Sequence, residues 1–318
     1  MKLFWQSRGQ SHADGTHCVV VFGSGLIGGQ LHEVFKKEGG WHLSKYTYKW
    51  DDAVQRNKQL SVIASDIRHV THGQKNSKHK LDVIWAAGKA GFSATQEDMD
   101  EEFSAFIQVF AHFEKLSASH YLGQAQFHLI SSAGGLFEGQ RLVGSQSEPD
   151  PQRPYGVSKL KQEEVVLKGQ QRIIPVIYRP SSVYGFNRLG DRIGLIAALL
   201  RNASQDAETV IYGHLTTLRD FVLADDVAHF VHAKVMRPNR QKGVYLLASG
   251  KPSSMVEVIS KASRIENRNI RLRYAFGDTN VADNTFRPDG LPEGWRTTPL
   301  RQGMSKVSKR IKTLLANQ

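Results

Sequence analysis

Gly23-Ser24-Gly25-Leu26-Ile27-Gly28 constrains this chain more than any other stretch. It is a G-x-G-x-x-G run directly after His17–Phe22, a β-branched apolar segment that reads as a buried strand. A helical pattern carrying Leu31, Val34 and Phe35 follows it. Gly23 permits a tight turn, Gly25 lets the backbone approach a pyrophosphate, and Gly28 lets helix and strand pack closely. The helix N-terminus then offers free N–H groups and a positive dipole end to phosphate. In this setting the run reads as a dinucleotide site; the plain alternative is a glycine-rich loop.

Strand and helix patterns alternate beyond that turn. Leu43–Tyr48, Leu60–Ala64, Leu81–Ala86, Gln126–Ser131 and Ile173–Tyr178 read as further strands. Glu101–Leu116 carries Phe103, Phe106, Ile107, Phe110 and Phe113 at helical spacing, and Tyr155–Lys168 reads as another helix. The alternation predicts an α/β fold, a doubly wound parallel sheet of the Rossmann type. After Pro180 the pattern loosens. Ile193–Leu200 and Asp225–Met236 are helix candidates, and Gly243–Leu247 is a strand candidate. Ile270, Leu272, Tyr274 and Phe276 alternate with Arg271, Arg273 and Ala275 as a half-exposed strand would. Met304, Val307, Ile311 and Leu314 mark one face of a basic terminal helix, read as packed.

The length of 318 residues suits about two domains. We expect a dinucleotide-binding domain over 17–180, with parts of 215–250 returning to it, and a smaller C-terminal α/β substrate lobe over 181–318. The formal charge of +12 is unevenly spread. Residues 1–150 hold 15 basic and 16 acidic side chains, whereas 151–318 hold 27 and 14. A basic half invites a nucleic-acid partner. It equally suits an anionic small molecule. Cys18 is the one cysteine, which excludes an intramolecular disulfide and a cysteine-based zinc site. No metal site is expected. No apolar run approaches membrane length, and the first 15 residues lack the apolar core of a secretory signal. A cytoplasmic protein without a membrane or nucleic-acid partner is the expectation. Residues 1–16 have no assigned role.

Three further features carry chemistry. The window Lys45–Trp50, at the end of the second strand candidate, lacks the acid that binds the adenosine ribose of NAD; Asp51 comes late. Its lysines, Lys49 in particular, favour NADP over NAD, unless they are only solvated charges. Tyr155-Gly-Val-Ser-Lys159 places a phenol and an ammonium on one helix face. A tyrosine phenol, near pKa ~10, needs such a cation, or a helix start, to serve as a base at neutral pH. Lys159 would also hydrogen-bond the nicotinamide ribose. Ser131-Ser132 ends the strand Gln126–Ser131, where doubly wound sheets bind ligands; a hydroxyl there can share the proton with Tyr155.

With these residues in order, the chain resembles the extended short-chain dehydrogenase/reductases, in the NAD-dependent epimerase/dehydratase branch. The resemblance runs from about Cys18 to about Gly303. It rests on Gly23–Gly28, Asp66-Ile67-Arg68, Ala86-Ala87-Gly88, Ser131-Ser132, Tyr155 with Lys159, Tyr178-Arg179-Pro180, Arg219-Asp220-Phe221, Asp225-Asp226, and Trp295 with Thr298-Pro299-Leu300. It implies catalytic roles for Tyr155, Lys159 and Ser132. It implies cofactor contacts from Gly23, Ser24, Gly25, Leu26, Ile27, Gly28, Asp66, Ile67, Ala86, Ala87, Gly88 and Arg179, as well as Tyr155 and Lys159. Ser131, Ser132, Tyr155 and Arg219 would meet the substrate, Arg219 through a diphosphate. An ion pair of Arg219 with Asp220 or Asp225 is the alternative, and Asp225-Asp226 reads as a helix cap.

The branch acts on nucleotide sugars, so the resemblance implies a UDP-glucose 4-epimerase-like enzyme, and a homodimer. Ala133-Gly134 stand where a dehydratase carries Asp-Glu, which argues against dehydration. An NADP-dependent reductase of a keto-sugar or other carbonyl is the second reading. A non-catalytic nucleotide-binding regulator is the third; intact Tyr155, Lys159 and Ser132 argue against it.

Overall fold

The computed structural model describes residues 1–7, 15–71, 79–88, 91, 93–119, 122–169, 173–188, 193–275 and 282–317. In chain order the first half holds β1 (Lys2–Ser7), β2 (Thr16–Phe22), α1 (Leu26–Lys37), β3 (His42–Lys45), α2 (Ala53–Thr71), β4 (Lys80–Trp85), α3 (Gln96–Ser117), β5 (Gln124–Ile130), α4 (Ala133–Leu136), α5 (Pro154–Lys168) and β6 (Ile173–Pro180). There follow β7 (Ser182–Tyr184), α6 (Leu195–Ser204), β8 (Thr209–Tyr212), β9 (Leu218–Arg219), β10 (Phe221–Leu223), α7 (Ala224–Met236), β11 (Gly243–Leu247), β12 (Ser253–Ser254), α8 (Met255–Glu266), β13 (Leu272–Ala275) and α9 (Leu300–Ala316).

Seven strands form the main sheet in the order β11-β6-β5-β4-β2-β1-β3. Every strand of β2 and β4 is buried along its length, as a sheet covered on both faces requires. Side chains of β2 alternate between two cores. Cys18, Val20 and Phe22 join Leu60, Ile63, Phe106 and Phe113 from α2 and α3. Val19 and Val21 join Leu31, Phe35, Val227 and Val231 from α1 and α7. A third core joins α6, α8 and α9 through Leu199, Leu200, Val258, Met304 and Ile311. After β10 the chain returns to the large sheet: α7 packs on α1, and β11 pairs in parallel with β6.

Two segments depart from expectation. Leu60–Ala64 lies inside α2 rather than in a strand. Its buried residues Leu60, Ile63, Ala64, Ile67 and Thr71 follow a helical period that the short apolar run conceals. The segment before residue 16, for which the sequence suggests no element, supplies β1. This strand runs antiparallel to both neighbours, with Lys2 opposite Val21 on one side and Lys45 on the other. Leu3 and Phe4 are fully buried, one in each core, so the strand is anchored from both faces. It separates β2 from β3, which the alternation places side by side. The predicted Leu43–Tyr48 strand shortens to β3, and Phe276 and most of the polar loop Lys75–Lys80 lie outside the described residues.

Polar groups buried beneath the sheet are concentrated at Asp82. His17 Nε2 lies 2.6 Å and His128 Nε2 2.8 Å from its carboxylate, and Arg240 completes the set. Burial alone would push this carboxyl up, but Arg240, then His128 and His17, outweigh it and hold it well below the ordinary range.

Candidate active site

The C-terminal ends of β2, β4, β5 and β6 open onto two adjoining cavities. The larger, about 530 Å³, is lined by Gly25, Ser131, Ser132, Tyr155, Lys159 and Arg219, among others. The smaller, about 390 Å³, holds Gly23–Gly25, Trp50, Asp51, Trp85 and Glu102. Leu26 and Ile27 line the first, and Ala86, Ala87 and Gly88 line both.

The glycines divide their work as the spacing predicts. Gly23 has φ +99°, and a Cβ there would lie 2.2 Å from the Ala86 carbonyl oxygen. A Cβ on Gly28 would lie 2.5 Å from the Gly23 carbonyl oxygen, whereas one on Gly25 would meet nothing within 4 Å. Gly25 therefore faces open space, while its neighbours close the turn. No side chain caps α1 and no acid stands in its first turn, so its N–H groups remain for an anion. One hydroxyl of a residue lining the larger cavity, Ser131 Oγ, is buried without a partner among the described residues. Buried polar groups rarely stay so, and the combination fits a bound dinucleotide.

Tyr155 sits in the first turn of α5, after Pro154 at the helix start. Gly135 makes room for it: a Cβ there would press on the ring at 3.0 Å. Nothing in the sequence reading drew out Gly135; only the approach of α4 to α5 gives it a role. Lys159 is buried, and its ammonium lies 5.7 Å from the centre of the Tyr155 ring. Ser132 caps α4 by accepting from the Gly135 amide at 3.1 Å. Arg219 reaches the same cavity from β9. Burial pulls its guanidinium below the usual value; Glu138 and Asp283 counter this, and Arg153 adds to it. Asp220 is engaged elsewhere, at 2.6 Å from Ser181 Oγ and 2.7 Å from Ser249 Oγ. The ion-pair alternative for Arg219 thus loses its first candidate.

Several expected contacts are not brought to the cavities. Asp66 lies within α2, 2.5 Å from Tyr46 OH, and Ile67 is fully buried in the core beside it. The predicted strand that would have delivered them to the cofactor is a helix. Arg179 is held by Glu163, with Nη2 to Oε2 at 2.6 Å, and lines a separate cavity with Phe137 and Tyr245. Lys49 is exposed and lines neither cavity; its amide donates to Gln59 Oε1 at 2.9 Å. Asp226 accepts from the Thr298 amide at 2.6 Å rather than capping α7.

Asp51 gains what Lys49 loses. In a parallel sheet the strand after the first helix would carry an acid to the ribose. Here β1 occupies that place, and the 46–52 loop crosses its start, the Tyr46 amide donating to the Met1 carbonyl at 3.1 Å. The loop brings Trp50 and Asp51 to the glycine turn. Asn187 ties the second half of the chain to that turn, donating to the Ser24 carbonyl at 3.0 Å.

The profile of the NAD dependent epimerase/dehydratase family matches residues 18–248, most of the chain, from β2 to just past β11. The chain belongs to this family. Among solved structures of similar fold is UDP-glucose 4-epimerase of Thermotoga maritima with UDP-glucose: TM-score 0.72, 16% identity, covering 93% of this chain and 99% of that one. The Thermus thermophilus UDP-glucose 4-epimerase in complex with NAD gives 0.73 at 16% identity, over 92% and 98%. A Bacillus cereus UDP-glucuronic acid 4-epimerase with UDP-glucuronic acid and NAD gives 0.68 at 20%, over 93% and 90%. A curated relative, dTDP-L-rhamnose 4-epimerase of Burkholderia thailandensis, is 28% identical over 145 residues, 43% of this chain. That match spans 40% of the relative's length. Among the described residues no helix is long and apolar enough to cross a membrane, and no side-chain cluster suits a metal ion.

Proposed function

We propose that this protein is a nucleotide-sugar 4-epimerase working with NAD. The observation that carries the reading is one cavity that brings together Tyr155, Lys159, both serines, the Gly25 turn and Arg219. When bound, the dinucleotide supplies the hydride acceptor and donor. Tyr155 takes the proton of the sugar 4-hydroxyl and later returns it; Lys159 stabilises the phenolate. Ser132 and Ser131 hydrogen-bond the reacting oxygen, and Arg219 meets the diphosphate of the substrate. The glycine turn and the α1 N-terminus hold the dinucleotide phosphates.

Asp51 supports NAD over NADP. A carboxylate at the adenosine end accepts from ribose hydroxyls and repels a 2′-phosphate, and the exposed Lys49 offers no counterweight inside the cavity. A homodimer through α3 and α5 is part of the same reading. Between these helices lies a groove with Phe103, Ile107, Phe110 and Val165 on its floor and charges of both signs on its rim. The Cys18 thiol is buried and pushed up to about 12 by burial, so it has no part in the proposed chemistry.

The test is direct. The purified protein is incubated with UDP- and dTDP-hexoses, with NAD, with NADP and without addition, and the 4-epimer is sought by chromatography. Epimer formation supported by NAD or by retained cofactor is expected. Consumption of NADPH with no epimer would replace this reading with a reductase.

A further inference from the structure

One acid at the site is used by neither the sequence motifs nor the proposed reaction. Glu102, in the second turn of α3, faces α5 across the end of β4. Its Oε1 lies 3.5 Å from Lys159 Nζ, and the two side chains are only 10% and 6% exposed. Gly88 permits the contact: a Cβ there would lie 2.9 Å from Oε1 and 3.1 Å from Oε2 of Glu102. The pair stands at the seam of the two cavities, since Glu102 lines the smaller and Lys159 the larger. Lys159 also lies 3.3 Å from Gln162 Oε1.

The other charges around Tyr155 are balanced or distant in kind. Glu101, also on α3, is exposed. Glu163 of α5 is neutralised by Arg179 of β6, and Arg153 at the head of α5 is neutralised by Glu138. Arg219 of β9 lines the same cavity and is the other cation there among the described residues. Ser131, Ser132 and Gln162 are neutral. An ammonium beside a phenol favours the phenolate. A base that must return its proton within the same turnover works best when neither form dominates.

We propose that Glu102 is a positioning residue that sets the charge at Tyr155 through Lys159. The carboxylate anchors the ammonium at the seam and offsets part of its field, so Tyr155 can both take and return the proton. The inference rests on the reading of Tyr155 and Lys159 as the proton-transfer pair. Glu102→Gln removes the charge with little change of shape; Glu102→Asp keeps it.

Ultraviolet tyrosinate absorbance is titrated in each protein, and the component that Tyr155→Phe abolishes is assigned to Tyr155. In Glu102→Gln that component is expected at lower pH than in wild type, by about one unit, with Glu102→Asp close to wild type. The acid limb of the kcat/KM profile for the sugar moves the same way. Coincident titrations of wild type and Glu102→Gln would overturn the proposal. If circular dichroism shows Glu102→Gln unfolded, Glu102→Ala is titrated and judged identically. The absorbance readout needs no turnover. An inactive wild type with the expected shift would therefore sink the epimerase reading and leave the Glu102 assignment standing.

Discussion

Gly28 lies so close under Gly23 that a Cβ on it would sit 2.5 Å from the Gly23 carbonyl oxygen. The atom in the way is backbone, so it cannot swing aside as a side chain would. Gly28→Ala is expected to cost about 1–3 kcal/mol, the usual range for overpacking, and to shift the turn proposed to receive the phosphates. Urea unfolding would read the first effect and NAD titration the second. Unchanged stability together with unchanged NAD affinity would contradict the close packing described.

Tyr155→Phe removes the hydroxyl proposed to exchange the proton while leaving the ring against Gly135. Turnover is expected to fall about 10²–10⁴-fold, with NAD affinity nearly unchanged. Epimerase assays and equilibrium binding on the same preparation decide it.

Asp51→Ser should weaken NAD binding about tenfold and narrow the proposed preference for NAD over NADP, since it removes a carboxylate from the cavity beside the glycine turn, where the adenosine ribose is proposed to lie. Competition titrations with both cofactors measure this. An unchanged ratio would place the ribose elsewhere.

Arg219→Met should raise KM for the nucleotide sugar about tenfold or more, with a smaller effect on kcat, because its proposed partner is a remote diphosphate rather than the reacting carbon. Steady-state kinetics separate the two constants.

Asp82 makes a prediction about stability and pH. Its carboxyl is held below the ordinary range when folded, mainly by Arg240 against the opposing effect of burial. The stability it contributes is therefore complete above about pH 4, where an unfolded Asp is ionised, and is lost as pH falls towards the lower folded value. Asp82→Ala leaves Arg240 buried without this partner and should cost about 3–5 kcal/mol at neutral pH. Denaturant unfolding from pH 7 down to pH 3 should show the gap to wild type narrowing below about pH 4.

The parts legible in the sequence were those in which neighbouring residues act together. The glycine spacing at Gly23–Gly28, the i,i+4 pair Tyr155 and Lys159, and the serines ending β5 are local patterns, and the structure brings Gly25, Tyr155, Lys159 and both serines to one cavity. Leu60–Ala64 was misleading because five apolar residues fit a strand or a helix equally until the flanking turns are counted. Asp66 and Ile67 followed that error. Arg179 was drawn to Glu163 by α5, a partner 16 residues away that no motif records.

By itself, the sequence determined the alternating α/β plan, the glycine turn after β2 and the phenol–ammonium pair, because each depends on backbone conformation and spacing within a few residues. Tertiary structure alone decided which charges meet. It placed β1 between β2 and β3, brought Asp51 rather than Lys49 to the glycine turn, and set Glu102 beside Lys159. Those contacts join segments tens of residues apart. Such pairings follow from how helices and strands pack on both faces of the sheet, which spacing along the chain does not encode.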